Sequence, residues 1–494
     1  MEGLAELTQE TIEQVNKAAQ TSGIYAGSGI QGVDLSGMVS LVPVNVPARN
    51  NTSAFPRTVS KDGAQVATWR ALLNVNAGQS DAAIGFDYAG TLTNTQEQDV
   101  YAPYKPLAKA GRVTLDSVGV SKNFADVLAV AELQTLMALF ISQDTHIINS
   151  QNWALGAPAQ PVLTTATTGG AIVPSTVYVR VAARSGANYF IGGGNSVASA
   201  SQNIVVPAGT NTNVVGASVP AVRGAVAYDW YVGTTAAAGA EFYYTTTTVA
   251  SVSITSVPLA AQALPSLPLL SSVAAPATAP ALDTSWNVNW YNGVIASSLG
   301  DYGAQGPVTP GTGTPTGAIF IDNLGAAISG SGSSIALLDQ INDALWTSVQ
   351  LSPTAYMVNS LQGDEISKLL LGSAAATTFL PPTDTDARTN LAGGGFVGRY
   401  VNKAAGGVPV NIEIHPRVAP GTIIARTDRV PFPGSNIGTA YEVRTLFDSW
   451  RFDYAASFVP GVLGGGPRRD FEIRSLETLV NTAPSCQCVA SNIG

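Results

Sequence analysis

The sequence predicts a mixed α+β protein carrying an all-β insertion, and three observations predict it. An apolar helical repeat runs from about Lys122 to Asn149. Residues 151–282 then hold only five charged side chains (Arg180, Arg184, Arg223, Asp229 and Glu241) among short alternating runs split by Gly, Asn and Pro. From Asp283 onward, helical and strand patterns interleave. Of 494 residues, 12% are charged, about half the usual quarter. A formal charge of −9 opposes a protein that grips phosphates along its length, and 45% apolar content opposes disorder. Two His and two Cys cannot build a structural zinc cluster or a disulfide framework.

Residues 4–20 have the pattern of a short amphipathic helix, with Leu4, Leu7, Ile12 and Val15 among Glu and Gln. Glu2, Glu6, Glu10 and Glu13 stand where a secretory signal needs a basic end and an apolar run, so a protein made in a cytoplasm is expected. From Gly23 to Asn51 no period holds, which predicts an extended arm that needs another surface to lie on. Val66–Asn74 and Ala83–Tyr88 predict a long hairpin with its turn at Asn76–Asp81. A two-stranded hairpin alone is marginal in water, so this one has to pack on something. The helix over 122–149, capped by Ser121 or Asn123, would run roughly 40 Å and serve as a spine.

Within 151–282, Thr176–Ala183, Ile204–Val206, Tyr228–Val232, Phe242–Thr245 and Ser251–Val257 read as strands, and five to seven such strands signal a β-sandwich. The prolines from Pro258 to Pro280 form a stiff return linker and interrupt the longest uncharged stretch, which therefore predicts no membrane span. Further on, Ser333–Trp346 predicts a capped amphipathic helix and Asp364–Leu371 a second one. Ala355–Val358, Val408–Ile414, Thr422–Ala425, Tyr441–Leu446 and Phe471–Ile473 predict strands.

Chemical motifs are sparse. The sequence has neither a G-x-S-x-G elbow nor a G-x-x-x-x-G-K-[ST] loop. His146 and His415 read as structural, and Cys486 and Cys488 as thiols without a partner. The arginines near the end form no continuous basic stripe. No catalytic, cofactor or metal residue is expected.

The order of parts, an arm, a long hairpin, a spine helix, a mixed domain and late returning strands, resembles tailed-phage major capsid proteins of the HK97 fold. Tyr104–Leu115, the helix ending Ser142–Asn149, and the stretches Tyr441–Asp448, Arg468–Arg474 and Leu476–Pro484 carry that resemblance. Ala225–Thr235 resembles the central strand and turn of an immunoglobulin or fibronectin type III module, without its Cys pair.

The resemblance implies an N-terminal arm (1–55), an E-loop hairpin (56–95) and a P-domain (96–154) built on the spine helix. It implies an inserted sandwich with its linker (155–282), an A-domain (283–405), and a closing segment (406–494) of P-domain return strands and the end of the A-domain. It implies a non-enzymatic shell subunit, located in the virion and assembled in the host cytoplasm from pentamers and hexamers. A separate scaffolding protein, a portal and a maturation protease are its expected partners, and packaged double-stranded DNA would be touched only weakly and non-specifically. Trp69, Arg70, Leu72, Ile84 and Phe86 are the expected inter-subunit contacts of the hairpin. Phe124, Leu128, Leu136 and Phe140 are the expected spine. The sandwich is expected to face outward as decoration. An encapsulin-like compartment shell and a surface adhesin are the alternatives.

Overall fold

A computed structural model describes residues 55–60, 65–74, 96–114, 118, 126–191, 194–235, 240–258, 278–299, 318–331, 334–371, 397–430, 438–454 and 468–494. The expected helix over 4–20, the extended arm, the segment Ala83–Tyr88 with Ile84 and Phe86, and Phe124 lie outside them. The chain divides into two compact units: Pro106–Gln143 and Leu446–Glu477 belong to the first, and the other described residues belong to the second.

In chain order, β1 (Arg57–Val59), β2 (Val66–Asn74), β3 (Gln96–Pro103) and β4 (Lys105–Thr114) precede helix α1 (Val127–Asn149). Then come β5 (Val162–Ala166), β6 (Thr176–Ser185), α2 (Gly186–Ile191), β7 (Gln202–Val205), β8 (Val214–Ser218), β9 (Ala225–Gly233), β10 (Phe242–Thr247) and β11 (Ser251–Ile254). After α3 (Val294–Leu299), the chain forms β12 (Ile319–Asp322), β13 (Gly330–Ser331), β14 (Ser334–Ile335), α4 (Ala336–Val349), β15 (Ala355–Val358) and α5 (Ser360–Leu371). The remaining strands are β16 (Arg399–Asn402), β17 (Val408–Ile414), β18 (Ile423–Arg426), β19 (Tyr441–Tyr454), β20 (Arg468–Asn481) and β21 (Cys488–Ser491).

In the first unit, α1 lies against the sheet formed by β4, β20 and β19. Gly111 of β4 permits the approach, because a Cβ there would stand 2.3 Å from the Phe471 ring and 2.8 Å from Thr135 Oγ1 of the helix. Helix α1 starts later than the sequence suggests. Asp126 accepts hydrogen bonds from the Leu128 and Ala129 N–H groups at 3.0 and 3.2 Å, and the expected caps Ser121 and Asn123 lie outside the described residues. That is the geometry of an N-cap. By length and composition α1 could cross a membrane, yet from Gln143 to Asn149 it is buried among the chain's own residues.

In the second unit, the core is a six-stranded mixed sheet in the order β12-β21-β18-β15-β17-β16. Strands β15 and β18 are buried at every position, as befits the centre of a sheet. Helix α4 lays Leu338, Ile341 and Leu345 into a cluster with Tyr356, Val358, Val410 and Ile423. No side chain caps α4 at its first residue; instead the Ile335 N–H donates to Tyr400 Oη, which in turn donates to Asp339. At its other end Gln350 takes the left-handed conformation (φ 56°).

Residues 162–254 form two antiparallel sheets, ordered β10-β9-β6-β7 and β11-β8-β5. Every residue of β9 is buried, with Trp230, Tyr228 and Tyr231 at most 1% exposed. Two of these seven strands, β5 and β8, have no counterpart in the sequence pattern. Their Thr, Gly and Ala positions hide the alternation. One buried ion pair sits here, Arg184 Nε to Asp229 Oδ2 at 2.5 Å. Asp229 also accepts from Asn195 Nδ2 and Thr246 Oγ1.

Candidate self-association surfaces

Strands β2 and β3 pair with each other and, among the described residues, with nothing else. The register sets Trp69 opposite Val100, Arg70 opposite Asp99 and Leu72 opposite Glu97. The partner of the first strand is therefore Gln96–Pro103, and the hairpin extends past the expected end at residue 95. Charge explains the register: Arg70 Nε lies 2.9 Å from Glu97 and 3.7 Å from Asp99. With 70% of the Arg70 side chain exposed, these pairs fix alignment more than they add stability. The base is anchored where Ala67, Val100 and Ala102 are buried and Tyr104 N–H donates to the Gln65 carbonyl. Trp69 is half-buried, and its indole N–H finds no acceptor among the described residues.

The first unit carries two further faces. On α1, Val130, Leu133 and Met137 are 46–58% exposed and follow one another at three and four residues, so they form one apolar stripe. The expected spine residues Leu128, Leu136 and Phe140 are only half-buried. The positions that close the helix off are Leu139 and Ile148, both at 0%. On β19, Trp450, Phe452 and Tyr454 are 58%, 39% and 49% exposed. Around them, the Arg474 guanidinium stands 5.7 Å from the Phe452 ring, and Arg451 reaches Glu132 at 2.6 Å and covers the Phe471 ring at 5.5 Å. Aromatic residues interleaved with arginine are the side chains enriched at protein interfaces. The alternation Trp-Arg-Phe-Asp-Tyr carries the strand past Leu446, where the sequence pattern predicts its end.

Among the described residues, the titratable groups form no catalytic grouping. His415 is buried, its Nδ1 accepts the Arg417 N–H at 3.1 Å, and burial with the Arg417 charge pulls its pKa down to about 4. His146 packs edge-on against Trp290. Cys486 and Cys488 are buried free thiols, and burial pushes Cys488 up to about 12, away from thiolate chemistry. No group of three metal-ligating side chains occurs among the described residues. A shallow depression of about 370 Å³ lies over β5, β8 and β11, lined by Val162, Thr164, Gly216, Ser218, Ser251 and Ser253 among others. None of its lining residues is charged or aromatic.

No protein-family model matches this sequence, and no curated protein matches it. Among solved structures, it is similar to the capsid asymmetric unit of cyanophage A-1(L), with a TM-score of 0.44, 10% identity, and 92% of this chain and 96% of that one covered. It is similar to the capsid of the native GTA particle, with a TM-score of 0.42 at 7% identity over 94% and 96%. The holo-SrpI encapsulin complex from Synechococcus elongatus PCC 7942 gives a TM-score of 0.35 at 9% identity over 93% of each chain.

Proposed function

We propose that the chain is a major capsid protein of the HK97 fold, a structural and non-enzymatic subunit. Its copies associate into pentamers and hexamers that close an icosahedral phage head around double-stranded DNA. The observation that carries the reading is the β2–β3 ribbon, which pairs with no other described strand. A ribbon of that kind is marginal in water and gains its stability from a surface supplied by a neighbour. The α1 stripe and the aromatic end of β19 add apolar area that a subunit would hide by association. The order of elements supports the same reading. An early hairpin and long helix are followed by the two-sheet insertion and the mixed sheet, and the late strand β20 returns to pair with the early strand β4.

The insertion is an immunoglobulin or fibronectin type III-like sandwich that decorates the outer surface. Its seven strands in two antiparallel sheets around the buried Trp230 support that assignment. The depression over β5, β8 and β11 has no aromatic platform, which favours decoration over a sugar-binding role. Partners are other copies of the chain, a separate scaffolding protein, a portal and a maturation protease, with weak non-specific contacts to packaged DNA.

Sedimentation velocity tests this. Leu133→Asp places a charge on an exposed helix position, where it costs the subunit about 0.5 kcal/mol of helix propensity. The expected result is a folded subunit that sediments as a small species while the wild type forms particles. Particles formed equally well by Leu133→Asp together with Trp69→Ala would overturn the reading.

A further inference from the structure

We propose that Asn492 and Asp322 form a latch that fixes the two-sheet insertion on the six-stranded sheet, so that the insertion is a rigid projection of the subunit. The default for a module inserted through two connections is relative motion. Here three separate sets of contacts oppose it. The first is at the connections: Gly156 N–H donates to Asp283 at 3.2 Å, Leu155 N–H donates to Ser285 Oγ at 3.1 Å, and Ser185 Oγ donates to the Ser285 carbonyl at 2.8 Å.

The second is the latch itself. Asp322 ends β12, and its in-register partner on β21 is Ser491, so Asn492 follows directly. Asn492 sits at φ 60°, a conformation Asn tolerates better than most residues. From there its side chain acts in both directions. Nδ2 donates to Asp322 Oδ1 at 2.6 Å on the core sheet, and Oδ1 accepts the Ala250 N–H at 2.7 Å from the turn between β10 and β11. Asp322 completes the bridge, since its Oδ2 accepts the Ala221 N–H at 3.3 Å from the segment between β8 and β9.

The third is Arg223, whose Nη2 donates to the Ala318 carbonyl at 3.0 Å. Two glycines let the parts close. A Cβ on Gly421 (φ 76°) would stand 3.1 Å from the Thr248 Cβ, and one on Gly325 (φ 74°) 3.3 Å from Ser251 Oγ. Asn492 is 4% exposed, Ile493 is 1%, and the Gly494 N–H donates to the Ala326 carbonyl. The bridging amide is thus shielded from water and holds its geometry. The insertion's β8–β9 and β10–β11 connections are each tied to this one pair of side chains, through Ala221 and Ala250.

Hydrogen exchange on the full-length chain tests the latch, comparing wild type with Asn492→Ala. The expected result is exchange about tenfold faster in residues 219–223 and 248–251, with β6, β9 and β15 unchanged. Asn492→Asp separates the two halves of the bridge. Ala250 keeps its acceptor, while the carboxylate facing Asp322 speeds exchange at Ala221. If Asn492→Ala fails to fold, Arg223→Ala reports on the same segments. Unchanged exchange in 219–223 and 248–251 in every variant that folds would overturn the proposal. The readout is taken within one subunit, so a failure to form shells leaves it intact.

Discussion

Asp229 shows how much one buried side chain carries in this protein. It is fully buried and accepts from Arg184, Asn195 and Thr246 at once. Asp229→Ala would leave the Arg184 guanidinium buried without its carboxylate, at an expected cost of about 3–5 kcal/mol in chemical denaturation. His415 makes a prediction of different form. Its folded pKa is about 4, below the ordinary 6.5. Between those values the unfolded chain binds a proton that the folded chain refuses. Stability therefore falls as pH drops from 6.5 to 4, by about 3 kcal/mol from this group. Urea denaturation at pH 7 and pH 4.5 should show the wild type losing more stability than His415→Gln; equal losses would contradict the assignment. Neither role was legible in the sequence. Asp229 stood out there only as one of five charges in a neutral stretch, and nothing in the local pattern says that Arg184 lies across from it.

At the scale of elements, what could be read depended on whether burial follows local pattern. Ala355–Val358 and Val408–Ile414 appear at the residues expected, because the first is an apolar run buried throughout and the second alternates Val410 and Ile412 inward. Strand β20 runs from Arg468 to Asn481, far beyond the expected Phe471–Ile473. Its later positions include Ser475 and Glu477, both at 0% exposure and hydrogen-bonded to each other, with Glu477 also accepting from Gln143 of α1. Polar residues satisfied by a distant helix look like surface residues in one dimension. The start of α1 is hard to read from sequence for a related reason, since several Ser, Asn and Asp residues compete as caps and only the fold selects one. Asp126→Ala removes the cap and should lower stability by about 1 kcal/mol in thermal unfolding. Gly111→Ala should cost about 1–3 kcal/mol, because the added methyl meets the Phe471 ring.

For the whole molecule, the low charge of the sequence has a definite place in the structure. It is deepest in the two antiparallel sheets of 162–254, which hold five charged side chains, while the first unit is rich in arginine, aspartate and glutamate pairs. The exposed apolar side chains of the α1 stripe and of the aromatic end of β19, and the β2–β3 ribbon, lie outside those sheets. The ribbon's first strand and the helix are legible in the sequence, because an alternating run and a long apolar helix are local patterns. Trp450, Phe452 and Tyr454 are not, because exposure is a property of the folded unit. Electron microscopy of the purified wild-type protein tests the central claim most directly. Closed icosahedral shells built of five- and six-membered rings are expected, with the two-sheet insertion as a sharp, fixed feature of each subunit. Monomers or small open oligomers at every concentration would contradict it.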